Sequence, residues 1–368
     1  MDPWMIYGAN GYTGRLISEQ AARLNLRPVL AGRNRSVESL AAGLGLDSRL
    51  FPLDDEAAMA AGLAGMKLVL HCAGPFSATA APMMAACLQA GAHYLDITGE
   101  IEVFECAFAL DAQAKAKGVV LCPGAGFDVV PTDCLALALR EALPDATHLA
   151  LGFDTSSALS AGTSKTMVEG LKHGGMIRRD GALTKVPFAW RERRIDFGAG
   201  AKNAVTVPWG DVSTAFRSTG IGNVECYFAL PPAAARGMRW MRPLRPLLGL
   251  AAVQSFLKRR IERNVRGPDA TSRDKTETLV WGEAMNAKGE KKGGAGKDAE
   301  RLFADNRQRA GTDPAIVGTA VWKGRLPHSV APRRKAIARI ASRRRQCGDR
   351  PGIARIPTQS WWGLRRPA

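Results

Sequence analysis

The stretch that most constrains this chain is a glycine-rich turn at residues 8–14, Gly-Ala-Asn-Gly-Tyr-Thr-Gly. It follows a short apolar run at residues 4–7 and precedes a segment whose apolar residues recur at helical spacing. Strand, glycine turn and helix form the phosphate site of doubly wound dinucleotide-binding folds, because glycines let backbone N–H groups approach a pyrophosphate at a helix N-terminus. The contacts are predicted to come from Gly8, Asn10, Gly11, Tyr12, Thr13 and Gly14.

Short apolar runs alternate with helical patterns over the first 122 residues. Strands are predicted at residues 4–7, 28–31, 50–53, 67–72, 93–97 and 119–122. Ser36 is expected to cap the second helix, and Asp54 or Asp55 to begin the third. Six strands with intervening helices predict an α/β fold, a Rossmann-type doubly wound parallel sheet.

The pattern changes after Pro123. A strand at 147–153, a helix at 163–172 and β-rich runs between 186 and 230 predict a mixed α+β substrate domain. A largely helical stretch at 231–264 follows, interrupted by proline. The predicted domains are therefore 1–130 for the dinucleotide, 131–290 for the substrate, and an anomalous basic tail at 291–368.

The end of the second strand favours NADP(H) over NAD(H). An NAD site usually carries Asp or Glu there to bind the ribose 2′-hydroxyl, whereas this chain has Arg33 and Asn34. A guanidinium can clamp a 2′-phosphate, and the missing carboxylate removes a repulsion. An ordinary surface arginine is the alternative.

The loop after the fourth strand is expected to face the nicotinamide, because ligands of such sheets lie beyond the carboxyl ends of the strands. It is formed by Cys72, Gly74, Pro75 and Phe76. Gly74 would allow close approach and Pro75 would stiffen the turn, while Phe76 either walls the ring or packs in the core. His71 is interpreted as a packing residue.

The formal charge of +17 is unevenly spread. From residue 286 onward 20 Lys and Arg face 6 Asp and Glu, whereas the rest holds 31 against 28. The body is thus nearly neutral, and nucleic-acid binding is not favoured. The seven scattered cysteines lack CxxC spacing and are expected to be free thiols rather than metal ligands, so no metal site is predicted.

The last ~75 residues are rich in arginine, and their hydrophobic periodicity fades. A basic disordered tail is one interpretation. The other is a shifted reading frame, because residues 301–313 and 325–330 can be back-translated so that the neighbouring frame reads Gly-Tyr-Ser-Leu-Thr-Ile-Asp-Ser-Ala-Leu-Gly-Leu-Ile and Gly-Phe-His-Thr-Pro-Ser. An intact single frame encoding this tail would contradict the second interpretation.

Together these motifs resemble the saccharopine dehydrogenase-like oxidoreductases, and the second half looks like the branch called trans-acting enoyl reductases. The residues that carry the likeness are 8–14, 31–34, 72–76, 94–100, 123–133, 162–163, 167–171, 178–181 and 208–215. The resemblance implies a nicotinamide-binding Rossmann domain and a separate mixed substrate domain. It also implies NADPH-dependent reduction of an enoyl or other acyl-type substrate, which is either a small molecule or bound to a carrier protein.

A reductase also needs a proton donor, since the cofactor supplies only the hydride. The candidates are Tyr94, Asp128, Asp133, Lys165 and His173. For the two aspartates a structural tie of the turn is favoured over catalysis. Lys165 and His173 are expected to share the solvated face of one helix.

An apolar stripe lies between residues 244 and 257, beside the basic residues 258–260. Core packing is the leading interpretation, and an acyl pocket or a peripheral membrane contact through 244–260 are the alternatives. Because the first strand begins within a few residues of Met1, no signal peptide is expected, which favours a cytoplasmic protein.

The sequence therefore predicts an NADP(H)-dependent oxidoreductase. A dinucleotide-binding sensor or scaffold without turnover, a saccharopine-type amino-acid dehydrogenase, and a basic nucleic-acid or membrane binder remain as alternatives.

Overall fold

Six parallel strands form the first sheet in a computed structural model that describes residues 2–156, 161–198, 200–265, 277–295 and 321–323. The strands are β1 (Trp4–Tyr7), β2 (Val29–Gly32), β3 (Ser48–Leu50), β4 (Leu68–His71), β5 (His93–Asp96) and β6 (Leu121–Cys122). Their order in space is β3-β2-β1-β4-β5-β6. The order reverses between β1 and β4, which creates the crevice where doubly wound folds bind their ligands. The predicted fold class is confirmed.

Helices connect these strands, as right-handed crossovers between parallel strands require. They are α1 (Tyr12–Arg23), α2 (Ser36–Leu44), α3 (Glu56–Leu63), α4 (Phe76–Ala90), α5 (Ile101–Ala109) and α6 (Asp111–Ala116). Asp55 caps α3 as predicted, because its carboxylate accepts the Ala58 N–H at 2.9 Å. The apolar faces of the helices close the core around Met5, Tyr94 and Phe104.

Some predicted boundaries are wrong. The third strand lies at Ser48–Leu50 rather than 50–53, because Pro52 cannot donate to a parallel ladder. Ser36 is the first residue of α2 and not its cap, a position that Arg35 occupies. The sequence also predicts a helix at 80–90, whereas α4 begins earlier, at Phe76 directly after Pro75.

The second sheet is mixed. Its strands are β7 (Ala146–Thr155), β8 (Gly175–Arg179), β9 (Ala182–Val186), β10 (Glu192–Asp196), β11 (Ala201–Val207), β12 (Asn223–Ala229), β13 (Glu277–Asn286), β14 (Lys291–Ala295) and β15 (Val321–Lys323). β7 lies in the middle, parallel to β12 and antiparallel to β13. The sheet continues through β14, past residue 290 where the substrate domain was predicted to end.

Two helices that the sequence analysis missed cover this sheet. They are α7 (Val130–Ala142) and α9 (Asp211–Thr219). Leu135 and Leu139 of α7 pack against Leu149 and Leu151 of β7 in a buried core. The spacing of four between the two leucines is the helical signal that Pro131 obscured, although proline is well tolerated in a first turn.

The remaining helices are α8 (Ala161–Gly170), α10 (Pro232–Trp240), α11 (Arg245–Leu248) and α12 (Ala251–Asn264), with a 3₁₀ turn at Arg242–Leu244. The stripe at 244–257 is not core, because Leu244, Leu247, Leu250 and Phe256 are 48 to 61% exposed. The leading interpretation of that stripe was therefore wrong.

Both sheets belong to one compact unit. The reading-frame hypothesis concerns residues that, apart from 291–295 and 321–323, lie outside the described ones, as does Cys347. The six described cysteines are free thiols. Among the described residues, no cluster of His, Cys, Asp or Glu is suited to a metal ion.

Candidate functional site

The glycine turn is built so tightly that side chains would not fit. The N–H of Gly8 donates to the Ala31 carbonyl at 2.7 Å, and the N–H of Gly11 donates to the Gly8 carbonyl at 3.0 Å. A Cβ added at Gly14 would lie 2.2 Å from the Gly8 carbonyl oxygen. Gly8 has φ of +80°, and a Cβ there would lie 2.7 Å from the Ala73 nitrogen. The glycine turn, the start of α1 and the loop after β4 (residues 72–76, the β4 loop) are therefore packed backbone against backbone. We call this arrangement the glycine cradle.

The start of α1 has the character of an anion site. Gly11 is the residue before the helix, and no side chain of the described residues caps it. No acidic residue lies in the first turn. The partial positive charge of a helix N-terminus is therefore left for an external anion, and a pyrophosphate is the group that fits such a turn.

Hydrogen bonds join this turn to the end of β2. The Asn10 amide Nδ2 donates to Ser36 Oγ at 3.0 Å, and the Ser36 N–H donates to Asn34 Oδ1 at 2.9 Å. Sequence reasoning assigned Asn10 and Asn34 to the cofactor separately and missed Ser36 as their link. The structure brings these predicted residues together beside the crevice.

Arg33 is exposed at the same edge, directly after β2. Burial raises the pKa of Tyr7 to about 12, and the nearby Arg33 charge opposes that rise. The guanidinium therefore acts on a residue that ends β1. Arg35, two residues on, is exposed as well, and the sequence analysis did not single it out. The edge is positively charged, as a 2′-phosphate requires.

The β4 loop begins at Cys72, whose N–H donates to the Tyr7 carbonyl at 2.7 Å. Burial raises the pKa of the Cys72 thiol to about 12, so this cysteine is not a thiolate near neutral pH. Phe76 is 9% exposed and packs edge-on against His71, with ring centroids 5.4 Å apart. A Cβ at Gly74 would make only ordinary contacts with Phe76, at 3.6 Å, so no steric contact with the described residues requires glycine there.

His71 is fully buried, as expected of a packing residue. Its Nε2 lies 3.0 Å from Thr79 Oγ1, whose own proton goes to the Ala73 carbonyl at 2.7 Å. The imidazole is therefore the donor in the first contact. Burial lowers the pKa of His71 to about 3, which keeps the ring neutral.

Glu100 binds the start of α4 and was not assigned a role from the sequence. Its carboxylate accepts the N–H groups of Phe76 at 3.1 Å and Ser77 at 2.6 Å. It also accepts the hydroxyl of Thr166, on α8, at 3.2 Å. Burial raises the pKa of Glu100 despite these three hydrogen bonds. One carboxylate thus joins the predicted nicotinamide loop to a helix that follows the second sheet's central strand.

Tyr94 is removed from the candidate proton donors. Its side chain is fully buried and its hydroxyl donates to Asp96 Oδ2 at 2.6 Å. Asp96 also accepts the N–H groups of Thr98 at 3.0 Å and Gly124 at 2.7 Å. This buried pair ties the loops after β5 and β6 to each other, and a substrate cannot reach its proton.

Asp128 remains a candidate. It lies half-buried in the segment between β6 and α7, and a Cβ at Gly99 would be 3.1 Å from its Oδ2. Burial raises the pKa of Asp128 to about 6. No hydrogen bond within the described residues ties this carboxyl to the turn, contrary to the favoured interpretation. The Oδ2 of Asp133, within α7, accepts the hydroxyl of Ser218 on α9 at 2.7 Å, so this contact joins two helices rather than the turn.

Lys165 and His173 do not share a helix. α8 ends at Gly170, and His173 lies beyond it, in a turn where its N–H donates to the Gly170 carbonyl at 2.9 Å. The predicted common face is therefore wrong. Lys165 is half-buried on α8, beside the Thr166 that contacts Glu100.

A parallel sheet with a glycine turn after its first strand and a positively charged edge after its second defines a dinucleotide-binding Rossmann domain. Residues 4–122 match the family model of the saccharopine dehydrogenase NADP binding domain. The N-terminal part of the chain is thus an NAD(P)(H)-binding domain similar to that of the saccharopine dehydrogenases, and over these residues the resemblance seen in the sequence is confirmed.

Relatives extend the likeness. A candidate trans-acting enoyl reductase of Mycobacterium tuberculosis is 32% identical over 182 residues, which cover 45% of this chain and 43% of the relative. The saccharopine dehydrogenase-like oxidoreductase of Mus musculus is 28% identical over 202 residues, covering 48% and 47%. The matched segments span less than half of each relative.

A solved structure extends the likeness of the fold to most of the chain. Apo saccharopine dehydrogenase (L-Glu forming) from Saccharomyces cerevisiae superposes with a TM-score of 0.53. The superposition covers 85% of this chain and 92% of that one at 11% identity, so it concerns the fold alone.

Proposed function

We propose that the chain is an NADP(H)-dependent oxidoreductase that reduces an acyl-type substrate, with an enoyl thioester as the leading class. One observation carries the proposal: the glycine cradle, Arg33 and the candidate acid Asp128 all follow parallel strands of one sheet. Because the carboxyl ends of parallel strands meet at one edge of a sheet, these groups lie at the same edge, and we infer that they border one cofactor and substrate site.

The residues present fit the cofactor. At Gly8 and Gly14 the cradle has no room for a Cβ, and the N-terminus of α1, which no described side chain caps, would bind a pyrophosphate. Arg33 would pair with the 2′-phosphate, and the edge after β2 carries no acid before Glu38 to repel it. The loop at 72–76 would border the nicotinamide, which supplies a hydride when NADPH is bound.

The protein's own chemical contribution is a proton. Asp128 has a pKa of about 6, so a substantial fraction of its carboxyl is protonated in mildly acidic to neutral solution. Its half-buried position beside Gly99 supports this role, since a substrate bound at this edge would meet a carboxyl whose exchange with water is limited by burial. We assign it as the general acid of the reduction.

An acyl substrate is favoured over a carboxylate-rich amino acid. Arg178 is the buried arginine of the second sheet, and such a residue could bind a substrate carboxylate. Its Nε donates to the Val212 carbonyl at 2.8 Å, its Nη1 to the Gly181 carbonyl at 2.7 Å, and its Nη2 to Glu105 at 3.2 Å. These partners hold it as a structural residue. The name of the mycobacterial relative also supports an enoyl substrate.

The test is single-turnover oxidation of NADPH with enoyl-CoA thioesters of increasing chain length, alongside NADPH binding by fluorescence. An amino acid paired with a 2-oxo acid tests the saccharopine-type alternative. Oxidation with a thioester supports the proposal. NADPH binding without oxidation across the panel would support the sensor or scaffold alternative instead.

Asp128→Asn tests the assigned acid. We expect the rate of the reduction to fall about 100- to 10,000-fold. The wild-type rate should decrease as pH rises through about 6, since only the protonated carboxyl donates, and the variant should lose that decrease. Asp133→Asn is the matched control, because Asp133 binds Ser218 and should keep the wild-type pH profile. An unchanged profile in the Asp128 variant would reject the assignment.

A further inference from the structure

The helices α10 to α12 expose an apolar surface that the proposed reductase site does not use. Its members are Trp240, Leu244, Leu247, Leu250 and Phe256, and their exposed fractions are 82, 48, 56, 53 and 61%. We call these five side chains the apolar helical surface. Single exposed hydrophobic residues are ordinary, but five large ones within 17 residues are not scattered singly.

The same segment is strongly basic. Residues 226–261 contain seven Lys and Arg and no Asp or Glu. Arg236, Arg259 and Arg260 are exposed there. Large apolar side chains interspersed with arginine are typical of helices that lie in the plane of an anionic membrane interface.

The opposite side of the segment is anchored to the protein. Gln254 is buried, and its Nε2 donates to the Val168 carbonyl of α8 at 2.9 Å. Lys258 pairs with Glu169 of the same helix, and Arg239 pairs with Glu192. Polar contacts thus hold the helices down while their apolar side chains face outward. That is the reverse of an ordinary surface helix, whose polar face is outermost.

We propose that the apolar helical surface docks on an anionic lipid bilayer, with its apolar side chains in the boundary between headgroups and acyl chains. Arg236, Arg259 and Arg260 would then meet lipid phosphates. Of the helices that the structure describes, none has the length and apolarity to cross a bilayer, so the contact is interfacial. An acidic carrier protein could satisfy the arginines, but five exposed large apolar groups favour a lipid phase that can accept them all.

The experiment is flotation of the full chain with vesicles of phosphatidylcholine alone and of phosphatidylcholine with about one quarter phosphatidylglycerol. We expect binding to the anionic vesicles that weakens as salt is raised, because the arginine contribution is screened. Leu247→Glu or Phe256→Glu should weaken it at least about tenfold, because a charge replaces a buried apolar group. Arg259→Ser should weaken binding about fivefold.

Leu24→Glu is the matched control, since Leu24 is 40% exposed on the Rossmann part and the charge change is the same. It should bind vesicles as the wild type does, and unchanged NADPH affinity in every variant would show that folding is intact. Four results would each overturn the proposal. They are a lack of binding to anionic vesicles, a loss of vesicle binding in the Leu24 variant equal to that in the surface variants, binding only to an acidic carrier protein, and a surface variant whose sole effect is to dissociate a dimer.

This membrane contact does not depend on hydride transfer. A chain that binds vesicles but oxidises no NADPH would retain the contact and lose the proposed function.

Discussion

Replacing Asp211 by asparagine should make the stability of the protein less dependent on pH. Asp211 is the first residue of α9 and is fully buried. Neither of its carboxyl oxygens has a hydrogen-bond partner among the described residues. The neighbouring Thr132 has one hydroxyl proton, which it donates to the Val129 carbonyl at 3.1 Å.

Burial raises the pKa of Asp211 well above its ordinary value; the nearby Thr132 hydroxyl opposes that rise, and the charge of Asp133 adds to it. The folded state therefore binds a proton that the unfolded chain releases above about pH 4. Between that pH and the folded pKa, this one group lowers the free energy of unfolding by about 1.4 kcal/mol for each unit of rising pH. The contribution of protonated Asp211 to stability is fully present below the pKa of the unfolded state. It is lost as pH rises through the pKa of the folded state.

The assay is urea unfolding of wild type and variant between pH 5 and 9, with the difference between their unfolding free energies plotted against pH. Taking the difference cancels the contributions of other titrating groups. One of these is His71, whose lowered pKa of about 3 makes stability change with pH in the opposite direction. Asp211→Asn should gain on the wild type as pH rises, by up to about 1.4 kcal/mol per unit.

Asp111→Asn is the control. Asp111 also begins a helix, but its side chain is 59% exposed and pairs with Lys115, so its removal should change stability by less than about 0.5 kcal/mol at any pH. If the difference in unfolding free energy between Asp211→Asn and the wild type does not change with pH, the buried carboxylate is ionised and compensated in the folded state. That result would refute the reasoning.

Further predictions concern the cofactor crevice. Gly14→Ala should lose NADPH binding and lower Tm, because its Cβ would lie 2.2 Å from the Gly8 carbonyl, whereas Gly43→Ala, with no atom near the new Cβ, should keep NADPH binding. Arg33→Asp should weaken NADPH binding at least about tenfold and leave NADH nearly unchanged; equal effects on both would contradict its 2′-phosphate role. Glu100→Gln should cost about 1–3 kcal/mol in urea unfolding, because an amide cannot accept both backbone N–H groups, and no loss would disprove the cap.

The sequence was most informative where structure is local. The glycine turn and the helix after it depend on spacing within about a dozen residues, and both occur where expected. β3 was misplaced because Phe51 is apolar but packs on the core beyond the strand's end, where its N–H donates to the Gly32 carbonyl at 3.1 Å. Apolar character alone does not fix where a ladder stops.

Features that depend on distant contacts escaped sequence reasoning. The apolar stripe at 244–257 has the composition of a core helix, and only the fold shows that no described part of the chain covers several of its large side chains. Tyr94 has the chemistry of a proton donor, but its place in an interior strand, between β4 and β6, buries it. Glu100 and Asp211 look like surface acids in the sequence, and their burial arises from elements far along the chain.

The carboxylate of Glu100 has a thermodynamic consequence. It accepts hydrogen bonds from the start of α4, next to the loop at 72–76, and from Thr166 of α8. Because one carboxylate binds both helices, a ligand that shifts the α4 backbone also changes the contact to α8. The positions of the two helices are therefore energetically coupled. If NADPH changes the affinity for a substrate bound against α8 by some factor, that substrate changes the affinity for NADPH by the same factor, because linkage between two sites is reciprocal.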